Sequence, residues 1–140
     1  RIPTSDYRLP TKEVLMSTSR KHTILICDDE EGIRESFKLI LSDTYHLKFA
    51  TNGLEALEML KIPSFSPNLM LLDIKMPKMH GMEILKQVKK LKPDLPVIIV
   101  TGYQSVEMAQ EALKNGAADY IPKPFNSNEL KKILQEILFR

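Results

Sequence analysis

The sequence predicts an α/β fold: a five-stranded parallel sheet in the doubly wound order 2-1-3-4-5, with five helices shared between its two faces. Three observations predict it. From Thr23 onward, short apolar runs alternate with segments of helical spacing, and that alternation marks successive strand–helix–strand units. The runs LMLL at 69–72 and VIIV at 97–100 lack polar alternation, as strands covered on both faces do. Parallel neighbours need right-handed crossovers, and five strands fit the order 2-1-3-4-5 with its switch point between strands one and three.

The elements follow in order. Strands are expected at 23–27, 45–50, 69–72, 96–100 and 119–121, each too short for a helix and mostly bounded by turn residues. Helical spacing links Ile33, Phe37, Ile40 and Leu41; then Leu54, Leu57, Met59 and Leu60; then Ile84, Val88 and Leu91. Val106, Ala109 and Leu113 make a fourth set, with a helix from about 104 to 115, and Leu130, Ile133, Leu134, Ile137 and Leu138 make a fifth. Asn115-Gly116 supplies a left-handed stop, and Asn126 followed by Glu129 has the spacing of a capping box. KIPSFSPN and LKPDLP are proline-bearing connections.

Residues 1–20 hold two prolines and no sustained period, so they read as a leader or linker before a domain at 21–140. They lack the apolar core of a secretory signal. Met16 followed by STSRK has the look of a translation start, which leaves open whether the first fifteen residues belong to the native chain.

Composition narrows the function classes. With 43% hydrophobic and 27% charged residues, the chain has the make-up of a globular domain, and no apolar run approaches the ~18 residues of a membrane span. The formal charge of +2 is uneven: residues 1–22 carry five Lys or Arg against two acids, and the remainder is near neutral. That balance gives no support to direct nucleic-acid binding by this domain, which would want a basic stripe. A lone Cys27 excludes an internal disulfide, agrees with a cytoplasmic location, and in its apolar run reads as a small buried hydrophobe. His22, His46 and His80 share no metal-ligand spacing, and Met76, Met79 and Met82 read as packing residues.

The chemistry gathers at one edge of the sheet. The first apolar run ends in four consecutive carboxylates, 28–31, and such crowding raises carboxylate pKa values unless a cation offsets it. Asp28 and Asp29 end the first strand, Asp73 the third, Thr101 the fourth, and Lys123 follows the fifth. All five therefore meet at the carboxyl edge, around the switch point. Carboxylates of this kind suit a hard divalent cation such as Mg2+. One carboxylate can also act as a nucleophile in phosphoryl transfer, with the metal, Lys123 and the Thr101 hydroxyl supporting the transferred group. Taken singly, each residue has a duller account: solvated acids, a turn former, a surface lysine, a strand threonine. Their common placement carries the functional reading.

CDDEEGIR, LLDIKMPKMHG, VIIVTGYQS and GAADYIPKPF, in this order and spacing, resemble the receiver domain of two-component response regulators, a flavodoxin-like fold. The resemblance runs from about Thr23 to Arg140. It implies that Asp73 is the phosphoacceptor, that Asp29, Asp73 and the backbone carbonyl of Lys75 hold Mg2+ (or Mn2+), and that Asp28 acts through metal-bound water. Thr101 and Lys123 would contact the phosphoryl group, and Tyr120 would turn inward as Thr101 moves. Pro124 matches a cis peptide, Gly102 keeps the approach open, and Lys75 carries a long cationic side chain where the family varies. The implied function is a signalling switch that accepts phosphate from the phosphohistidine of a sensor histidine kinase or phosphotransfer protein. Its own catalysis would be limited to phosphotransfer and self-dephosphorylation.

Two other readings remain open: a receiver-like module that binds partners without phosphorylation, and a Mg2+-dependent aspartyl-phosphate phosphatase. The phosphatase wants an acid two residues past its nucleophile, where this chain has Lys75. The surface from the fourth helix to the fifth is the expected partner face, or the face of a phosphorylation-dependent homodimer. No linker or DNA-binding module follows the last helix, so the expectation is a stand-alone regulator or a receiver cut from a longer protein; the segment 100–125 resembles receivers attached to ATPase-type transcription activators.

Overall fold

β1 (Thr23–Cys27) pairs in parallel with β2 (His46–Ala50) on one side and β3 (Leu69–Leu72) on the other; β4 (Val97–Thr101) and β5 (Asp119–Pro122) extend the sheet beyond β3. The resulting order is β2-β1-β3-β4-β5, as the sequence predicts. The structure, a computed structural model, describes residues 21–75, 81–102 and 105–140. The leader at 1–20, together with Met76, Met79, His80 and Gln104, lies outside the described residues.

Among the described residues, five helices cover the sheet: α1 (Glu31–Leu41), α2 (Gly53–Leu60), α3 (Gly81–Leu91), α4 (Val106–Lys114) and α5 (Ser127–Leu138). The strands alternate their side chains between two cores. Ile24, Ile26, Leu69, Leu71, Ile98 and Val100 pack with Phe37 and Leu41 of α1 and Leu130 and Leu134 of α5. Their neighbours Leu25, Cys27, Met70, Leu72, Val97 and Ile99 pack with α2, α3 and Ala112 of α4. The period-2 geometry of a strand thus explains why LMLL and VIIV show no polar positions. No helix among the described residues is long and apolar enough to cross a membrane.

Local chemistry ends the helices where expected. Asn52, Ser105 and Asn126 accept backbone N–H groups at the starts of α2, α4 and α5. After α4, Gly116 takes φ +99°, a left-handed conformation that glycine adopts freely. Boundaries shift slightly: β2 starts at His46, β4 runs Val97–Thr101, and β5 extends through Pro122.

One apolar set departs from its expected role. The spacing of Val106, Ala109 and Leu113 resembles a core stripe, yet Val106 is 74% and Leu113 50% exposed, and the buried contact of α4 comes from Ala112. Met108 packs beside it. The small Ala112 lets α4 lie close to the sheet, so the larger apolar residues on its other face cover nothing. Leu54 of α2, 52% exposed, departs from its set in the same way.

Close packing also reaches the site. A Cβ on Gly81 would overlap the backbone and Cβ of Ile74, the residue after Asp73. Gly81→Ala is therefore expected to destabilise the fold by about 1–3 kcal/mol through overpacking, read as a lower urea midpoint with unchanged slope. An unchanged midpoint contradicts this close approach.

Candidate functional site

Sheet register brings the site together. Cys27 is paired with Leu72, so Asp28 and Asp73 leave adjacent strands at the same level. The Asp73 N–H donates to the Cys27 carbonyl at 3.0 Å, and the Asp28 N–H to that of Ala50 at 3.1 Å. On the other side, Thr101 is paired with Pro122. Lys123 follows at once, its N–H donating to the Thr101 carbonyl at 2.8 Å. The Lys123-Pro124 peptide is cis, as the resemblance implies.

From there the Lys123 side chain reaches back over the sheet edge. Its Nζ donates to Asp28 Oδ2 at 2.7 Å and to Asp73 Oδ2 at 2.9 Å. Glu30 Oε1 stands 3.7 Å from the same ammonium. The second oxygen of each buried aspartate is held by backbone: Asp28 Oδ1 accepts from the Glu30 N–H at 2.9 Å, and Asp73 Oδ1 from the Lys75 N–H at 2.8 Å. Asp28, Asp73 and Thr101 are all buried, while Asp29 and Glu30 are exposed at the rim.

Asp28, Asp29, Glu30 and Asp73 each offer one carboxylate oxygen, and these atoms lie within 4.8 Å of one another. Four carboxylates against the Lys123 ammonium leave a strong negative excess. The donor set is all oxygen and partly open to water, which fits Mg2+ and offers no soft ligand for zinc.

The electrostatics follow from burial. Burial pushes the Asp28 carboxyl above its ordinary 3.8, and Lys123 and the Glu30 N–H offset only part of that rise. Such a group takes up protons more readily when folded, so its contribution favours folding at low pH and weakens as pH rises from 3.8 through its folded value. Lys123 has the same sign for a different reason. Burial pulls its pKa down, but hydrogen bonds and charges from Asp28 and Asp73 together outweigh burial and hold it above 10.5. Its stabilisation is whole below 10.5 and is lost as pH rises through the folded value. Cys27, one residue before the cluster, is pushed up to about 12, by burial first and by Asp28 next, so it is a buried thiol as expected.

The remaining predicted residues occupy the same edge. Lys75 is exposed and meets Asp73 through its backbone N–H. Tyr120 is half-buried against the α2–α4 core, its pKa raised by burial and then by the Asp73 charge. A Cβ on Gly102 would meet nothing within 4 Å, so open space does lie beside Thr101, and a side chain at that position is sterically tolerated. His22 stacks edge-on against Phe139 at 4.9 Å, away from the acids.

Two residues escaped the sequence reading. Glu30 joins the carboxylate group, and the Arg34 guanidinium donates to the Asp28 carbonyl at 2.8 Å, fixing the loop between β1 and α1. The DDEEGIR run holds the only signal: an arginine six residues after the first acid lies on the helix turn that faces back toward the strand end.

Comparison with known proteins points the same way. A family model described as "Response regulator receiver domain" matches residues 24–135. The chain is 39% identical over 118 residues to the response regulator MprA of Mycobacterium ulcerans, covering 84% of this chain and 50% of that protein. It thus spans about half the length of that curated relative. A CheY-like response regulator receiver domain protein from Methanospirillum hungatei superposes with a TM-score of 0.80 at 38% identity, covering 86% of this chain and 95% of that one. The BeF3-activated receiver domain of DrrB, a Thermotoga maritima protein, superposes at 0.78 with 26% identity, covering 86% and 100%.

Lys123→Met leaves two buried carboxylates without their ammonium, and at neutral pH it is expected to cost about 3–5 kcal/mol of stability. The deficit should shrink as pH falls and the Asp28 carboxyl, already raised by burial, protonates, and the alkaline loss of stability above 10.5 should disappear with the lysine. Urea titrations across pH measure both. A deficit independent of pH contradicts the charge argument.

Proposed function

Because the chain belongs to the response regulator receiver domain family of two-component systems, we propose that it is a phosphorylation-controlled switch with Asp73 as phosphoacceptor. The observation that carries the reading is the Asp73 carboxylate held between Lys123 and the Lys75 N–H, at the sheet edge where the other acids converge. An Asp73 oxygen forms the new bond to phosphorus. The bond from phosphorus to the imidazole nitrogen of a partner kinase or phosphotransfer protein breaks, and its electron pair leaves on that nitrogen.

Asp29, Asp73 and the Lys75 backbone carbonyl would hold Mg2+, with Asp28 beside them. When bound, the cation supplies positive charge against the equatorial oxygens of the phosphoryl group. Lys123 is already aimed at Asp73 and gives a second positive contact. The Thr101 hydroxyl donates to the third oxygen, drawing the end of β4 toward the site, and Tyr120 fills the space behind it. A phosphohistidine partner places this exchange in the cytoplasm.

The signal leaves through what moves with Thr101. The outer face of α4 exposes Val106 and Leu113 beside Glu107, Glu111 and Lys114, and α5 exposes Lys131 and Lys132. We assign this α4–β5–α5 surface to the effector contact or to a phosphorylation-dependent homodimer, because uncovered apolar residues ringed by mixed charges suit a switchable interface.

Incubation with acetyl phosphate and Mg2+ is expected to add one phosphoryl mass at Asp73, with labelling lost in excess chelator and in Asp73→Asn. Labelling that survives the chelator removes the cation from the mechanism, and labelling that survives Asp73→Asn removes Asp73. Thr101→Ala is expected to accept label yet respond weakly: beryllofluoride should increase self-association of the wild type in sedimentation velocity and shift amide resonances across 105–125, and the variant should show a small fraction of both. Equal responses in the two proteins contradict the coupling through Thr101.

A further inference from the structure

Glu30 occupies the N-cap of α1, where its extended backbone (φ −91°, ψ 117°) lets its carbonyl accept the Arg34 N–H at 3.1 Å. Ser, Thr, Asp or Asn at this position would satisfy a free N–H of the first turn, and glutamate is a poor substitute. Its side chain makes no capping hydrogen bond. The starts of α2, α4 and α5 carry Asn52, Ser105 and Asn126, each of which does cap. At α1 alone of these four, the side chain turns away from the helix, toward Lys123 at 3.7 Å and into the carboxylate group.

We propose that Glu30 is a further cation-affinity residue of the phosphorylation site: a rim carboxylate that raises Mg2+ affinity at the expense of the α1 cap. The inference rests on the Mg2+ reading given above. Three features support the assignment. The Glu30 N–H donates to Asp28 Oδ1 at 2.9 Å, so the backbone that carries Glu30 is registered on the buried acid. The Glu30 side chain is 63% exposed, free to follow an incoming hydrated ion, whereas Asp28 and Asp73 are fixed at 2% each. Glu30 also shares the Lys123 ammonium with those two acids, so it supplies negative charge on the solvent side, where Asp28 and Asp73 are shielded.

The two roles have opposite signs, which makes the proposal testable. Glu30→Ser restores a good cap and relieves like-charge crowding, so without divalent metal the variant should melt about 4 °C higher than the wild type. Its Mg2+ affinity should nevertheless fall by about three- to tenfold, the loss of one negative charge at the rim of a hydrated dication. Glu30→Gln keeps the shape without adding a cap; it should lose the same affinity with little gain in melting temperature. Calorimetric Mg2+ titration of the full chain and melting in chelator read these effects without reference to phosphorylation, with Asp29→Asn as the control. Unchanged affinity in both Glu30 variants, alongside lost affinity in Asp29→Asn, overturns this proposal and leaves the cation site standing. A lower melting temperature for Glu30→Ser in chelator overturns the capping half, and a wild type that binds no Mg2+ overturns the site and the proposal together.

Discussion

Two aspartates buried side by side at the ends of β1 and β3 need a cation, and the ammonium of Lys123 supplies it at 2.7 and 2.9 Å. Removing two carboxylates from water costs several kcal/mol each unless the charge is matched and the remaining oxygens are hydrogen-bonded. Both conditions are met here: Lys123 matches charge, and the Glu30 and Lys75 N–H groups take the other oxygens. The consequence is structural as well as chemical. Lys123 leaves the far strand β5, so its pairing ties the end of β5 across β4 to the centre of the sheet.

This arrangement works only on a rigid scaffold. The paired positions Cys27 with Leu72 and Thr101 with Pro122 set the heights at which the chain leaves the sheet. A register slip of one residue would turn Asp73 to the opposite face and put Leu72 in its place. Apolar packing on both faces opposes such a slip, because each of Ile24 to Cys27 and Leu69 to Leu72 belongs to one of the two cores. Gly81 adds a tighter constraint by letting α3 rest directly on the Ile74 backbone.

Packing is less committed at the opposite margin. α4 contributes Ala112 to the core and leaves Val106 and Leu113 in solvent. An element that buries little apolar surface has little to lose by shifting, and the low-stability parts of a fold are where conformational switching resides. α4 is therefore, among the described residues, the helix that loses least apolar contact if it shifts. β1 and β3, wholly buried, are the costliest.

The sequence by itself determined the fold class, the strand order and most of the residues that meet at the carboxyl edge of the sheet. Unbroken apolar runs at 69–72 and 97–100, too short for helices, suit strands covered on both faces, and Asp28, Asp73, Thr101 and Lys123 all follow from counting to the ends of such runs. It was legible because strand period and crossover handedness are local rules with few global solutions. Tertiary structure decided the rest. Val106, Ala109 and Leu113 have the spacing of a core stripe, and only the placement of α4 against β4 and β5 shows that Ala112 faces inward instead. Glu30 and Arg34 are one acid among four and one cation among many in the sequence; their roles depend on where the first turn of α1 directs each side chain. That direction is set by hydrogen bonds to Asp28 and by the ammonium of Lys123 from the far end of the sheet, and one-dimensional spacing carries no record of either.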